Sequence, residues 1–212
     1  MSADDQQYAN VEEAERRRER VFAEQLNLER DYVSRLYSRL DTLRQETEQK
    51  LAQVRKNQAV GGHQNRSERD SFAAHYEDRL AQLNAVDARL AFGRLDMSRG
   101  GEDVTRYIGR LGITDEQQNR LLMDWRAPEA GTFYQATAFT PMGVRRRRHL
   151  MLEGRTVVNL EDEVFDPAML QDSGELHGDG ALLAALNQKR TGRMNDIVAT
   201  IQAEQDAIIR SD

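Results

Sequence analysis

Four consecutive arginines and a histidine occupy residues 145–149, the most concentrated group of side chains in the sequence that could bind a charged ligand. Guanidinium groups pair with phosphate oxygens through parallel hydrogen bonds, so the run is a candidate grip on a nucleic-acid backbone. The alternative is internal neutralisation. A turn at Glu153 and Gly154 would fold strand 144–152 back on residues 155–163, which contain several acidic side chains.

That turn sets the cross-strand partners of the arginines. Arg146 then faces Glu161 and Arg145 faces Asp162, so ion pairs between the two strands neutralise part of the run. The remaining two arginines face uncharged residues and stay free for an outside partner; they are Arg147 and Arg148.

A polar stretch around two adjacent glycines is the second candidate contact surface, made of Val60, Gly61, Gly62, His63, Gln64, Asn65 and Arg66. Transcript-cleavage factors of the Gre type place paired carboxylates at the tip of a hairpin to hold a metal ion. The apex here has no carboxylate, and Glu68 and Asp70 follow beside Arg69. Metal delivery is therefore not favoured, because a hard cation needs several clustered oxygens. A steric probe or a plain connecting turn fits the stretch better.

Other residue types that often carry chemistry have structural interpretations here. Residues 124–128 (DWRAP) end a predicted strand with no nucleophile or base beside them, which favours a structural corner braced by Asp124 and Arg126. The four histidines show no metal-ligand spacing. The glycines of residues 174–180 lack the lysine of a phosphate-binding loop. We therefore predict no catalytic residue and no metal site.

The elements that must position the tip are two long helices. Residues 10–57 contain no proline or glycine, and apolar side chains recur in alternating three- and four-residue steps, as in a coiled coil: Leu36, Leu40, Leu43, Thr47, Leu51 and Val54. Ser67 is a plausible N-cap for a second helix that runs to about Phe92, with Gly93 as its stop and Asp87 as a polar exception in its apolar spacing. We predict an antiparallel α-hairpin over residues 1–92, with its tip at 58–67. Residues 10–32 have no partner in the hairpin and are expected to pack on the body through Val21, Phe22, Leu26 and Leu28.

The sequence changes character after Gly93. Short stretches separated by Gly, Pro, Asp and Asn predict β-strands at 106–113, 120–125, 132–139, 144–152 and 155–160. Residues 167–180 are predicted to form a loop, and a closing helix is expected around 194–210. The fold class is therefore α+β: a coiled-coil arm, a small and mainly antiparallel β-rich domain over residues 93–193, and a C-terminal helical segment over 194–212.

Composition limits the functional classes. A hydrophobic content of 39%, an aromatic content of 6% and a charged content of 31% suit an elongated helical protein. The net charge of −6 does not predict nucleic-acid binding by bulk electrostatics. The sequence has no cysteine, no apolar run long enough for a membrane span and no signal core, so we expect a cytoplasmic protein without a membrane partner.

Several motifs together resemble the N-terminal part of the HelD-like family, in particular its actinobacterial (HelR-like) branch. They are, in order, residues 107–110 (YIGR), 124–128 (DWRAP) with Phe133 and Tyr134, 145–149 (RRRRH) and 197–205 (IVATIQAEQ). HelD-like proteins are helicase-related ATPases of the UvrD superfamily that bind bacterial RNA polymerase. The resemblance covers about residues 90–205, and the hairpin before it matches the family's layout.

The resemblance implies that the hairpin enters the secondary channel of RNA polymerase, and that the whole protein displaces nucleic acid from stalled polymerase and recycles it. Some actinobacterial members also protect the polymerase from rifamycins. By position, Gln205 would contact the adenine of ATP and Gln202 would support it. No G-x-x-x-x-G-K-[ST] loop occurs in the 212 residues. ATP and Mg²⁺ are therefore expected in a full-length protein, whereas this chain alone should bind neither and should be inactive.

A different class of function is a stand-alone coiled-coil regulator of the polymerase secondary channel, of the Gre or DksA type, which needs no ATP. The closing helix separates the two hypotheses, because a stand-alone regulator has no reason to keep residues 201–205 in helicase register. A third hypothesis, a DNA-binding β-module that uses residues 145–148, predicts affinity that falls steeply with salt.

Overall fold

In the computed structural model the described residues are 3–58, 66–166 and 169. They form two compact units. Among the described residues, the first contains the helices up to Leu90 together with residues 151–160, and the second contains residues 91–150, 161–166 and 169. This described part of the protein is α+β, with a six-stranded mixed sheet.

Two helices make up most of the first unit: α1 (Ala3–Gln58) and α2 (Arg66–Ala85). Helix α1 has no proline or glycine along its 56 residues. The apolar positions predicted along it are buried or partly buried, with Leu36, Leu40 and Leu51 among the most buried. The helices contact each other where Arg55 donates to Glu77 (2.7 Å) and Arg44 donates to the carbonyl of Leu83 (2.7 Å). The contacting residue numbers rise along one helix as they fall along the other, so the two helices run antiparallel.

The predicted end of the second helix is wrong. Helix α2 ends at Ala85, a short turn follows, and Gly93 lies inside a strand instead of stopping a helix. Residues 91–99 alternate between more and less buried positions, as a strand with one covered face does. The expectation that residues 10–32 pack on the body is wrong in part, because Phe22 is 44% exposed and Leu28 is 59% exposed.

The strands are β1 (Ala91–Arg99), β2 (Glu102–Gly109), β3 (Ile113–Thr114), β4 (Arg120–Asp124), β5 (Val144–Glu153) and β6 (Thr156–Val164). Their order in the sheet is β3-β4-β2-β1-β5-β6. The pairings of β1 with β2, of β1 with β5 and of β3 with β4 are antiparallel. β2 and β4 pair in parallel at Ile108 and Met123, which makes the sheet mixed.

The predicted strand at residues 132–139 is wrong. A 3-10 turn (Pro128–Ala130) leads directly into a short helix, α3 (Gly131–Gln135). The helix places Phe133 in the core of the second unit, together with Leu95, Ile108 and Val144. Because Phe133 is needed at this central position, tertiary packing overrides the strand preference of the local aromatic residues.

Gly93 is the residue that makes room for Phe133. A Cβ atom built on Gly93 would lie 2.4 Å from Cε2 of the Phe133 ring, far inside van der Waals contact. The ring is itself held edge-on by Phe92, Tyr134 and His149, at centroid distances of 5.7, 5.3 and 5.2 Å. The glycine is therefore required by packing and not by backbone conformation.

Candidate functional site

The arginine run of β5 is the densest group of charged side chains that the structure describes in the second unit. Strand β5 lies between β1 and β6, and acidic residues on both sides supply partners for the run. Arg146 donates to Asp96 of β1 through Nε and Nη2, at 2.7 and 2.5 Å, and lies 3.5 Å from Asp162 of β6. Arg145 pairs with Asp103 at 2.8 Å and with Asp166 at 2.9 Å.

Arg145 and Arg146 are neutralised by carboxylates of the same chain, as predicted, but the predicted partners are wrong. Arg146 contacts Asp96 and Asp162 instead of Glu161, and Arg145 contacts Asp103 and Asp166. Strand β5 extends to Glu153 and β6 begins at Thr156, so the turn lies one residue later than predicted. The partners Asp96 and Asp103 lie on β1 and β2, so the pairing of β5 with β6 does not determine them.

The expectation that Arg147 and Arg148 remain free is also wrong. Arg148 is only 2% exposed and forms a bidentate pair with Asp162, at 2.6 and 2.7 Å. Arg147 is 7% exposed and pairs with Glu163 through Nε (3.0 Å) and Nη2. These two are the most buried arginines of the run, and neither offers its guanidinium group to an outside phosphate.

Arg147 also helps to build the core. Its Nη1 donates to the backbone carbonyls of Phe133 (2.5 Å) and Ala136 (3.2 Å), which lie at the end of α3. Its guanidinium group lies 5.8 Å from the centroid of the Phe133 ring and 5.3 Å from that of Phe165. Cation–π contact of this kind adds to the ion pair with the carboxylate. The side chain satisfies backbone carbonyls left open by the short helix.

Asp96 receives two arginines and is mostly enclosed, with 13% of its side chain exposed. Burial pushes the pKa of Asp96 upward, but the positive charges of Arg94 and Arg146 and their hydrogen bonds more than offset it, so this pKa lies below its usual value. The carboxylate stays ionised and has no proton to exchange near neutral pH. This chemistry is that of a structural ion-pair network and not of an acid–base catalyst.

Asp124 and Arg126 brace the corner at residues 124–128, as predicted. Asp124 accepts hydrogen bonds from the backbone N–H and the side chain of Arg126, at 2.9, 3.0 and 2.8 Å. These hydrogen bonds lower the pKa of Asp124. Trp125 packs beside the core of the second unit.

A second charged cluster, which no local sequence pattern predicts, lies in the first unit. Arg155, in the turn between β5 and β6, binds Asp41 of α1 at 2.7 and 3.0 Å and Asp87, just after α2, at 2.6 Å. These hydrogen bonds raise the pKa of Arg155, and they lower the pKa of both Asp41 and Asp87. The only local signal was the polar Asp87 inside an apolar spacing, because the partners are distant in sequence.

A groove of about 430 Å³ opens beside this cluster, within the first unit. Its lining includes the hydroxyl groups of Ser34, Ser38 and Thr156 together with charged side chains such as those of Asp41 and Arg155. Both Asp41 and Arg155 are already engaged with each other. The hydroxyl groups of the groove can form hydrogen bonds with a ligand or a protein surface, but the charged pair of Asp41 and Arg155 is not placed as a catalytic group.

Several predicted contacts cannot be placed. The tip residues Val60, Gly61, Gly62, His63, Gln64 and Asn65 lie outside the described residues, as do Gln202 and Gln205 of the predicted closing helix. Arg66 is the first residue of α2. Within the described ranges, no three His, Asp or Glu side chains come together as a metal site would require. No helix of the described part of the chain is both long and apolar enough to cross a bilayer.

Comparison with known proteins gives a family match. Residues 26–176 match the family described as "DNA helicase IV HelD, N-terminal domain". A comparison with functionally curated proteins gave no match. The matched range includes most of α1, all of α2, the whole sheet and both charged clusters. Since it spans well over half of the sequence, the chain belongs to the family of HelD N-terminal domains.

Proposed function

We propose that this chain is the RNA polymerase-binding N-terminal region of a HelD-like ATPase of the UvrD superfamily. In this proposal α1 and α2 form an antiparallel coiled-coil arm whose tip, residues 58–67, enters the secondary channel of bacterial RNA polymerase in the cytoplasm. The observation that carries the proposal is the family match over residues 26–176 together with the helix pair, most of which lies inside this range. A match to a helicase family does not favour the stand-alone regulator.

The length of the helices supports a reaching role. At 1.5 Å per residue, a helix of 56 residues is roughly 84 Å long and one of 20 residues is roughly 30 Å long. A small domain needs helices of only a few turns to enclose its core. A slender pair of helices is also a shape that a narrow channel admits.

The distribution of charge supports an arm-based contact over a nucleic-acid contact by the sheet. All four arginines of residues 145–148 are paired with carboxylates inside the second unit. Direct phosphate contact needs exposed cations that release counterions, and these side chains already have partners. Nucleic acid would then be displaced indirectly, through the polymerase.

The nucleotide part of the proposal rests on the family resemblance. Gln205 would contact adenine with Gln202 as support, while the groups that hold the triphosphate and Mg²⁺ would be supplied by a motor domain. ATP turnover would then release and recycle polymerase, with protection from rifamycins in members of the actinobacterial branch.

The test is a pull-down of bacterial RNA polymerase core by this chain, compared with a variant in which residues 59–65 are replaced by a Gly-Ser segment of equal length. The equal length leaves both helix ends, Gln58 and Arg66, where they are. A matched control changes Glu116→Ser and Gln117→Ser, two exposed positions in the turn between β3 and β4.

Binding that the tip replacement weakens, and the control does not, supports entry of the arm into a channel. Binding that both variants retain assigns the contact to another surface and contradicts the arm proposal. Absence of binding by the unmodified chain contradicts polymerase binding by this region.

A further inference from the structure

One arginine joins three separate parts of the chain within the first unit. Arg155 donates to both carboxylate oxygens of Asp41, at 2.7 and 3.0 Å, and to Asp87, at 2.6 and 3.4 Å. Asp41 is 114 residues away in sequence and Asp87 is 68 residues away. The side chain therefore ties the first helix to the chain that leaves the second helix.

A second, more buried arginine completes the cluster. Arg44 donates to Asp87 at 2.7 Å, to Asp41 at 3.1 Å and to the carbonyl of Leu83 at 2.7 Å. Its side chain is only 14% exposed. Two guanidinium groups and two carboxylates thus share one compensated cluster, which we call the clasp (Asp41, Arg44, Asp87 and Arg155).

The turn that carries Arg155 is also held through its backbone. The hydroxyl group of Tyr37 donates to the carbonyl of Gly154 at 3.4 Å and accepts the N–H of Leu90 at 3.3 Å. Arg30 donates to the carbonyl of Val157 at 2.8 Å. The Arg155 guanidinium group lies 5.1 Å from the centroid of the Tyr37 ring. These contacts hold the turn against α1 and place Arg155 between its two carboxylates.

The clasp contributes more to the arrangement of the two helices than to the stability of the fold. The side chains of Arg155, Asp41 and Asp87 are 41%, 42% and 45% exposed, and ion pairs at such exposure contribute little stability in water. The clasp lies at the C-terminal end of α2, and the 20 residues of this helix extend away from it. A change of about 5° in the angle between the helices at the clasp moves the far end of α2 by roughly 3 Å, given a rise of 1.5 Å per residue.

We propose that Arg155 is a positioning residue that sets the angle between α1 and α2, and that partner binding by the helix pair depends on the angle it sets. The link to partner binding rests on the proposed function. Because a guanidinium group bridges two carboxylates and an ammonium group acts as a point charge, lysine substitutes only in part. Because the clasp is exposed, salt weakens it.

The experiment measures the distance between the helices directly in the full chain. The sequence contains no cysteine, so spin labels attach only where cysteine is introduced. Lys50→Cys on α1 and Ala74→Cys on α2 are exposed positions away from the clasp. The distance distribution from pulsed electron resonance is compared for the unmodified clasp, Arg155→Met, Arg155→Lys and the control Arg110→Met, which changes an exposed arginine in the other unit. Each variant is also tested for binding to polymerase core.

We expect a narrow distribution for the unmodified clasp and for Arg110→Met, a broad one for Arg155→Met and an intermediate one for Arg155→Lys. Salt at about 0.5 M should broaden the unmodified distribution toward that of Arg155→Met, since the Debye length falls well below 10 Å. Affinity for polymerase should fall about tenfold for Arg155→Met and less for Arg155→Lys.

The outcomes separate the two proposals. A distribution for Arg155→Met as narrow as that of the control overturns the positioning role, whatever the polymerase does. A broadened distribution with unchanged affinity overturns the dependence of binding on the angle. If the unmodified chain does not bind polymerase, the proposed function fails, whereas the distances still decide whether Arg155 sets the angle.

Discussion

Replacing Gly93 by alanine tests the packing that organises the second unit. The added Cβ would lie 2.4 Å from Cε2 and 2.5 Å from Cζ of Phe133, whereas ordinary contact begins at 3.4 Å, so the ring must move by roughly 1 Å. The ring is 3% exposed and three aromatic neighbours surround it, so it has little room to move. Overpacking of this kind typically costs about 1–3 kcal/mol. We expect Gly93→Ala to lower the free energy of unfolding by about 2 kcal/mol.

Without the clash, replacing the glycine by alanine would raise the free energy of unfolding instead of lowering it. Glycine to alanine at an unstrained position stabilises by about 0.4–1 kcal/mol, because alanine has fewer unfolded conformations to lose. Gly112→Ala supplies this control, since the nearest atoms to its new Cβ are 3.8 Å away and its backbone is not left-handed. The two substitutions therefore differ in sign as well as in size.

The assay is urea unfolding followed by the fluorescence of Trp125, the only tryptophan in the chain, which packs beside the core that contains Phe133. A double-mutant cycle adds Phe133→Leu. The smaller side chain relieves the clash, so Gly93→Ala should cost at least 1 kcal/mol less in that background, a coupling of about the size seen for residues in contact. A Gly93→Ala variant as stable as Gly112→Ala, or a cycle without coupling, would refute the packing argument.

Two further predictions concern the charged clusters. Arg148→Ala should destabilise the second unit by about 3 kcal/mol in the same fluorescence assay, at the lower end of the range for broken buried pairs, because Asp162 is partly exposed. Arg148→Met keeps the volume of the side chain and should cost less; equal costs would contradict a packing contribution. Arg155→Met should move the acid unfolding of the helices, followed by circular dichroism, slightly to higher pH, because ion pairs this exposed contribute little stability. Asp41 and Asp87 have a pKa below their ordinary 3.8, so they stabilise the fold above about pH 4 and this stabilisation is lost as the pH falls through the lowered pKa. An unchanged acid midpoint would mean that Arg155 does not stabilise the two carboxylates.

The helices could be predicted from sequence because their signals are local. The absence of proline and glycine together with a repeating apolar spacing determines α1, and the structure buries the predicted positions. The end of α2 could not be predicted in this way. The local sequence predicts a helix stop at Gly93, but the constraint on this residue is the ring of Phe133, which is 40 residues further along the chain.

The arginine run shows the same limit in charge pairing. Acidic residues after residue 155 predict that part of the run is neutralised within the chain, whereas all four arginines are paired. The partners from β1 and from the start of β2, Asp96 and Asp103, could not be identified, because β1 and the start of β2 were not predicted as strands. Long-range partners depend on sheet order, which no local pattern contains.

The division of the chain has a consequence for its synthesis on the ribosome. Residues 151–160 belong to the first unit, although all of residues 91–150 are translated between them and the helices. The helices can form early, but Asp41 and Asp87 can form their ion pairs with Arg155 only after residue 155 has left the ribosome. Contacts of such long separation form late in folding. A nascent chain halted before residue 155 would therefore hold both helices without the ion pairs of Arg155 to Asp41 and Asp87, and the helix pair would gain these contacts only after most of the sheet had been synthesised.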